Sequence, residues 1–145
     1  MTRHRLPAPY EELEHTADAA VRVEGATSEI ALARLVLAMS QLLTGGGPLH
    51  PTGERTITVD PGDHAGMAVD VLRELLYVFD CEHLIAGACE VRHFEPDRGT
   101  QVIVELGPWD PEQHGEGTAL KAVTLHEARC ERTEDGWSAQ VIFDV

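Results

Sequence analysis

Two acidic segments at opposite ends of the chain carry its most informative chemistry. Asp18 closes the segment Glu14-His15-Thr16-Ala17-Asp18, and Asp144 precedes Val145. Because residues 141–143 are apolar and β-prone, this end of the chain is expected to be held in a strand and not to fray. If Asp18 lies beside that strand, two side-chain carboxylates converge with the free carboxylate of Val145. Unit charges ~5 Å apart repel by roughly 3 kcal/mol at an effective dielectric constant of about 20, so the cluster favours a bound cation.

The donor set indicates which cation would bind. Oxygen ligands alone suit a hard ion, so the sequence predicts a Ca²⁺ site, with Mg²⁺ or Mn²⁺ as alternatives, and not a zinc site. The three cysteines, Cys81, Cys89 and Cys130, are odd in number and form no Cys-x-x-Cys pair. They are expected to be reduced, buried thiols and not a disulfide framework.

The charge balance limits the partners. Eleven basic residues against twenty-five acidic ones give a formal net charge of −14. Binding to phosphate backbones needs clustered lysine and arginine, so no direct nucleic-acid binding is expected. The acidic surface could steer a basic partner, or it could serve solubility alone.

No apolar run approaches the roughly 20 residues that span a bilayer, and residues 1–9 do not resemble a signal peptide. No membrane association and a cytoplasmic location are therefore expected.

Hydrophobic periodicity predicts two helices and a series of strands. The first helix is capped by Thr27 and ends before Gly45, and the second runs from about residue 63 to 80. Alternation of polar and apolar residues predicts strands at 11–15, 20–24, 55–59, 88–94, 101–106, 121–132 and 137–145. Residues 1–9 are expected to be a loose lead-in, and residues 107–118 a mobile loop. The predicted fold class is α+β, one two-layer domain over 1–145 with two helices packed on a mainly antiparallel sheet.

Four segments resemble the archease family in order and spacing, over nearly the whole chain. They are Tyr10–Asp18, Leu72–Tyr77, Leu120–His126 and the ending Asp144-Val145. The chain departs from the family pattern in several places. Val71 and Leu125 stand near or at positions where relatives usually carry aromatic residues, Gly107-Pro108 replaces a common Gly-Glu, and Val145 replaces a terminal isoleucine.

The resemblance implies an accessory protein and not an enzyme. Archease assists the RtcB-type RNA ligase, which joins RNA ends bearing a 3′-phosphate or cyclic phosphate to a 5′-hydroxyl in tRNA splicing and RNA repair. The family's role is to promote guanylylation of that ligase, which uses GTP and a divalent metal, and to restore its turnover. The family's metal ligands correspond to Asp18, Asp144 and Val145 of this sequence.

Further residues are candidates for partner contact. His15 could support Asp18 or simply be packed and hydrogen-bonded. Glu74 could contact the metal site or the ligase, or be a solvated neighbour of Arg73. Lys121 could balance the acidic cluster or touch a phosphate. His126 follows Lys121 by five residues in a predicted strand, so it is expected to point to the opposite face.

Two other classes of function remain open from the sequence. A small metal-dependent hydrolase could use His15, Asp18 and His126, although the chain has no dense catalytic motif. A chaperone-like modulator of another RNA-processing enzyme, such as a tRNA methyltransferase, would fit the acidic surface equally well. Substrate turnover by the chain alone would favour the hydrolase.

Overall fold

The computed structural model describes residues 2–13, 18–114 and 117–145. The elements in chain order are β1 (His4–Arg5), β2 (Glu11–Leu13), β3 (Asp18–Gly25), α1 (Ser28–Thr44), β4 (Gly53–Val59), α2 (His64–Glu82), β5 (Leu84–Glu95), β6 (Gly99–Pro108), α3 (Pro111–His114), β7 (Ala122–Thr133) and β8 (Gly136–Asp144). The two predicted long helices are confirmed, and α3 is an additional short helix.

The strands form two antiparallel sheets of four strands each. One has the order β1-β5-β6-β4 and the other the order β2-β3-β8-β7. Helices α1 and α2 each contact strands of both sheets, and residues from both sheets join one hydrophobic core. The α+β class and the antiparallel pairing are confirmed. The sequence predicts one sheet where the structure has two, because alternation reports which face of a strand is buried but not which strand lies beside it.

Local capping chemistry sets the helix boundaries. The side chain of Thr27 accepts a hydrogen bond from the Ile30 amide at 3.2 Å, and Asp63 accepts one from the Gly66 amide at 2.6 Å. Helix α1 ends at Gly45, whose φ of 66° is the left-handed conformation that glycine adopts without strain. Helix α2 ends instead at His83, with φ 57°. A side chain in this conformation costs roughly 1 kcal/mol.

The predicted lead-in and mobile loop are more structured than expected. His4 and Arg5 pair with Cys89 and Ala88 of β5, so part of the N-terminal segment is an edge strand and not a loose lead-in. In the segment 107–118, β6 extends to Pro108 and α3 follows. The buried His114 side chain contacts the Pro48 carbonyl through Nε2. Contacts between residues far apart in the sequence hold these segments in place, and the pattern of a single sequence does not report such contacts.

Arginines fix the N-terminal strand to its sheet. Arg5 donates hydrogen bonds to both carboxylate oxygens of Glu105, at 3.0 and 2.9 Å, and Arg3 donates to Glu105 at 2.8 Å and to Glu54 at 2.9 Å. These donors, Arg5 first and then Arg3, hold the pKa of Glu105 below its ordinary value. The resulting stabilisation is present at neutral pH and is lost as the pH falls through the lowered pKa.

We expect Arg5→Ala to raise the pKa of Glu105 towards the ordinary glutamate value, because the main stabilising donor of the carboxylate is removed. The pKa is measured by following the Glu105 carboxyl carbon in an NMR pH titration. Arg98→Ala is the control. It removes a cation paired with Glu95 in the β5–β6 turn and should leave the pKa of Glu105 unchanged. An unaltered Glu105 titration in Arg5→Ala would contradict the assignment.

Candidate metal and partner site

Strand pairing brings the two acidic segments together. In the β3–β8 register Asp18 lies directly opposite Asp144, and in the β7–β8 register Ala122 lies on the other side of Asp144. Directly opposite residues in an antiparallel pair share one face of the sheet, with Cβ atoms about 4.5–5.5 Å apart. The two aspartates are thus close neighbours, as the sequence predicts if the ends of the chain meet.

The core beneath these residues explains why the last strand is held in place. Phe143 is fully buried and pairs with Ala19 and Val123. Because side chains alternate between faces along a strand, Asp144 lies on the face opposite Phe143, and its side chain is exposed. The Lys121 amide also donates a hydrogen bond to the Asp144 carbonyl at 2.8 Å. Val145 follows directly and is 44% exposed.

The two carboxylates are like charges on neighbouring strands. Asp18 is half-buried and Asp144 is exposed, and like charges directly opposite one another destabilise a sheet. Within residues 2–13, 18–114 and 117–145, no group of three or more His, Cys, Asp or Glu side chains is placed to hold a metal. The described side chains supply two carboxylates here. The main-chain carboxylate of Val145 would be a third oxygen donor, and this oxygen set suits Ca²⁺ or Mg²⁺.

Two cationic residues flank the pair, and one of them was not among the sequence candidates. Lys121 is exposed and immediately precedes β7. Arg73, on α2, donates from Nε to the carbonyl of Val123 at 2.9 Å and so ties the helix to the first residues of β7. In the sequence, Arg73 stands out only as a neighbour of Glu74 within a family motif. Its hydrogen bond to a backbone carbonyl joins residues far apart in the sequence, and sequence periodicity does not report such a contact.

The structure places Glu74 elsewhere. Glu74 is exposed, and with Asp70 it lines a groove of about 530 Å³ beside residues 55–60. Those residues lie on and just after β4. Strand β4 belongs to one sheet, whereas Asp18 and Asp144 lie on strands of the other sheet. A role for Glu74 is therefore better assigned to this groove than to direct contact with the acidic pair.

The geometry of β7 removes the basis on which His126 was placed opposite Lys121. Thr124 pairs with Ile142 and Arg129 with Gln140, so β7 contains extra residues between these two pairs. Within this bulge Glu127 has φ 53°. A bulge breaks the alternation of faces, so the spacing from Lys121 does not fix the side of the sheet on which His126 lies. His126 and its neighbour Leu125 are both exposed. His15 lies outside the described residues.

The cysteines differ from the expectation that all three are buried. Cys89 is buried and Cys130 is partly buried, but Cys81 on α2 is exposed, and all three are free thiols. Burial raises the pKa of the Cys130 thiol to about 12 and raises that of Cys89 further. The cause is the cost of placing a charged thiolate in an apolar environment.

Thiol labelling should therefore be selective. At pH 8 we expect Ellman's reagent to modify Cys81 rapidly, while Cys89 and Cys130 react slowly because they are covered and remain protonated. The fast phase is measured as one equivalent of released thionitrobenzoate. In Cys81→Ser this phase should disappear, and three equivalents released rapidly from the folded chain would contradict the structure.

Fold and site together define a small α+β domain in which an early strand and the last strand present paired carboxylates at one sheet end. Residues 10–145 match the model of the Archease protein family (MTH1598/TM1083). The chain therefore belongs to the archease family.

Individual relatives agree with this assignment. The chain is similar to Protein archease of Methanopyrus kandleri, at 32% identity over 139 residues, covering 94% of this chain and 99% of the relative. It is also 32% identical to Protein archease of Methanosarcina mazei, covering 94% of this chain and 95% of that protein.

Two solved structures resemble the fold. The solution structure of Methanobacterium thermoautotrophicum protein 1598 superposes with a TM-score of 0.77 at 26% identity, covering 94% of this chain and 98% of that one. The crystal structure of Thermotoga maritima TM1083, described as an archease and possible chaperone, superposes with a TM-score of 0.61 at 21% identity, covering 98% and 99%. The second likeness concerns the fold alone.

None of the helices in the described residues is both long enough and apolar enough to cross a bilayer.

Proposed function

We propose that this chain is a cytoplasmic accessory protein of an RtcB-type RNA ligase and that it acts through a divalent cation bound by Asp18, Asp144 and the carboxylate of Val145. Ca²⁺ is the first choice, with Mg²⁺ or Mn²⁺ as alternatives. The observation that carries the proposal is the β3–β8 register, which sets Asp18 opposite Asp144. Membership of the archease family supports an accessory role, and the resemblance to that family implies the RtcB-type ligase as the partner.

The proposed role is to promote guanylylation of the ligase and to restore its turnover in tRNA splicing or RNA repair. With a net charge of −14, the chain is suited to contact the ligase and not the RNA. Binding to a basic ligase surface would then be steered by charge and weaken as salt is added. Lys121, whose amide bonds to the Asp144 carbonyl, and Arg73, which bonds to the Val123 carbonyl, could contact a phosphate or a ligase carboxylate.

The energy required of such an activator is modest. An activator shifts an equilibrium only by its differential affinity for the favoured state. A tenfold faster guanylylation corresponds to about 1.4 kcal/mol of preference for the barrier state. One charge-assisted contact is worth about that much. The cation would supply positive charge between the acidic pair and the partner, and the chain's own residues hold the carboxylates at the sheet end.

The direct test uses purified ligase, GTP, divalent metal and RNA bearing a 3′-phosphate and a 5′-hydroxyl. We expect the chain to accelerate ligase guanylylation about tenfold or more and to convert single-turnover ligation into multiple turnover. Ligase that behaves identically with and without the chain would refute the proposal. RNA processed by the chain without ligase would support the hydrolase class instead.

A chaperone role is the second candidate, because the Thermotoga maritima relative is described as a possible chaperone. Chaperone activity and guanylylation can be separated in one experiment. If the chain protects unrelated, heat-denatured proteins from aggregation as well as it protects the ligase, the general chaperone role is favoured. Protection confined to the ligase and dependent on Asp18 would favour the specific accessory role.

A further inference from the structure

A pocket with three aromatic walls lies at the end of α2, outside the acidic pair. Its volume is about 300 Å³, and it is lined by Leu43, Phe79, Asp80, His83, Trp109 and residues 117–119. The Phe79 and Trp109 rings meet edge to face with centroids 5.8 Å apart, and the His83 and Trp109 rings are stacked at 6.4 Å. At this size the pocket suits one side chain better than a larger organic ligand.

Backbone hydrogen bonds hold His83 at this position. His83 caps α2 in the left-handed conformation, with its amide bonded to the Phe79 carbonyl and its own carbonyl accepting from the Trp109 amide, each at 2.8 Å. Glycine is the residue that this conformation favours, yet an imidazole occupies the position. Strain retained at such a position points to a use for the side chain.

The chemistry of the walls selects a cation. Trp109 Nε1 is buried and has no hydrogen-bond partner among the described residues, so the accessible part of that side chain is its carbon surface. Ring faces of this kind attract organic cations. Asp80 is exposed on the rim, and no basic side chain in the described part of the chain forms an ion pair with it. Aromatic faces beside an available carboxylate form a site for a positively charged group with an apolar stem.

We infer that this pocket receives an arginine side chain of a partner protein. The guanidinium stacks on aromatic rings and pairs with carboxylates, whereas a lysine ammonium is a compact, strongly hydrated charge. The aliphatic stem of the arginine would lie against Leu43 and Phe79, with the guanidinium between Asp80 and the rings. A second copy of this chain is disfavoured as the partner, because each copy carries a net charge of −14. This inference does not depend on the proposed cation site.

The test is an NMR titration of the whole chain with N-acetyl-arginine amide and with its uncharged isostere, N-acetyl-citrulline amide. The chain has two tryptophans, so Trp109 and Trp137 give two indole signals, and Trp137→Phe assigns them. We expect the arginine probe to shift the Trp109 signal saturably with a Kd on the order of millimolar. The citrulline probe should bind at least about fivefold more weakly.

Two variants separate recognition from folding. Asp80→Asn, at an exposed position, should weaken arginine binding about fivefold because only the charge is removed. His83→Gly removes one ring while relieving the left-handed strain, so its thermal midpoint should not fall although binding is lost. Equal shifts from both probes, equal shifts of Trp109 and Trp137, or unchanged binding in both variants would each overturn the inference.

Discussion

Replacing Asp18 by asparagine is expected to weaken Ca²⁺ binding by at least about tenfold, or ~1.4 kcal/mol, and to abolish activation of an RtcB-type ligase. The substitution removes one carboxylate from the pair that the β3–β8 register creates and preserves the size of the side chain. Calcium affinity is measured by isothermal titration calorimetry, and activation by the rate of ligase guanylylation.

The matched control is Asp97→Asn. Asp97 is exposed in the turn between β5 and β6, so this variant changes the net charge equally at a distant site. It should bind Ca²⁺ and activate the ligase like the unaltered chain. An unchanged affinity in folded Asp18→Asn would refute the metal site, and equal weakening in both variants would indicate a general charge effect.

Replacing Phe143 by alanine is expected to lower the free energy of unfolding by about 3–5 kcal/mol, because the change opens a cavity under a fully buried ring. The stability is measured by urea denaturation followed by circular dichroism. Since Phe143 sits next to Asp144 and pairs with Ala19 and Val123, any folded fraction should also bind Ca²⁺ more weakly.

Tyr77→Ala provides the control for side-chain size. Tyr77 is 63% exposed on α2, so deleting a comparable ring there should change the stability by less than about 1 kcal/mol. A loss of under about 1.5 kcal/mol in Phe143→Ala would mean that the ring is not part of the core. Similar losses in both variants would mean that the loss of stability follows from removing an aromatic ring in general and not from the burial of Phe143.

The elements that the sequence predicted well are those whose signals are local. Thr27 and Asp63 cap their helices through contacts three residues away, and such contacts can be read directly from the chain. The pairing of β1 with β5 and the separation into two sheets depend on residues far apart in sequence. No periodicity encodes those choices, which is why a loose lead-in and a single sheet were predicted.

The site was predictable to a similar degree. The meeting of Asp18 with Asp144 could be anticipated because a β-prone ending must pair with some strand, and acidic residues mark both segments. His126 could not be placed, because the bulge in β7 interrupts the alternation on which its prediction depended. The aromatic pocket was not foreseen, since Trp109 lies far along the chain from Phe79 and His83 at the end of α2 and meets them through a hydrogen bond to the His83 carbonyl.

The position of β8 between β3 and β7 has a consequence for biosynthesis. During translation, β3 leaves the ribosome long before β8, which is the last strand of the chain. Until β8 arrives, β3 and β7 each lack their shared neighbour, and nascent chains with open strand edges are prone to aggregate. The pairing of Asp18 with Asp144 consequently forms only after β8 has been synthesised, so products truncated before β8 would lack it.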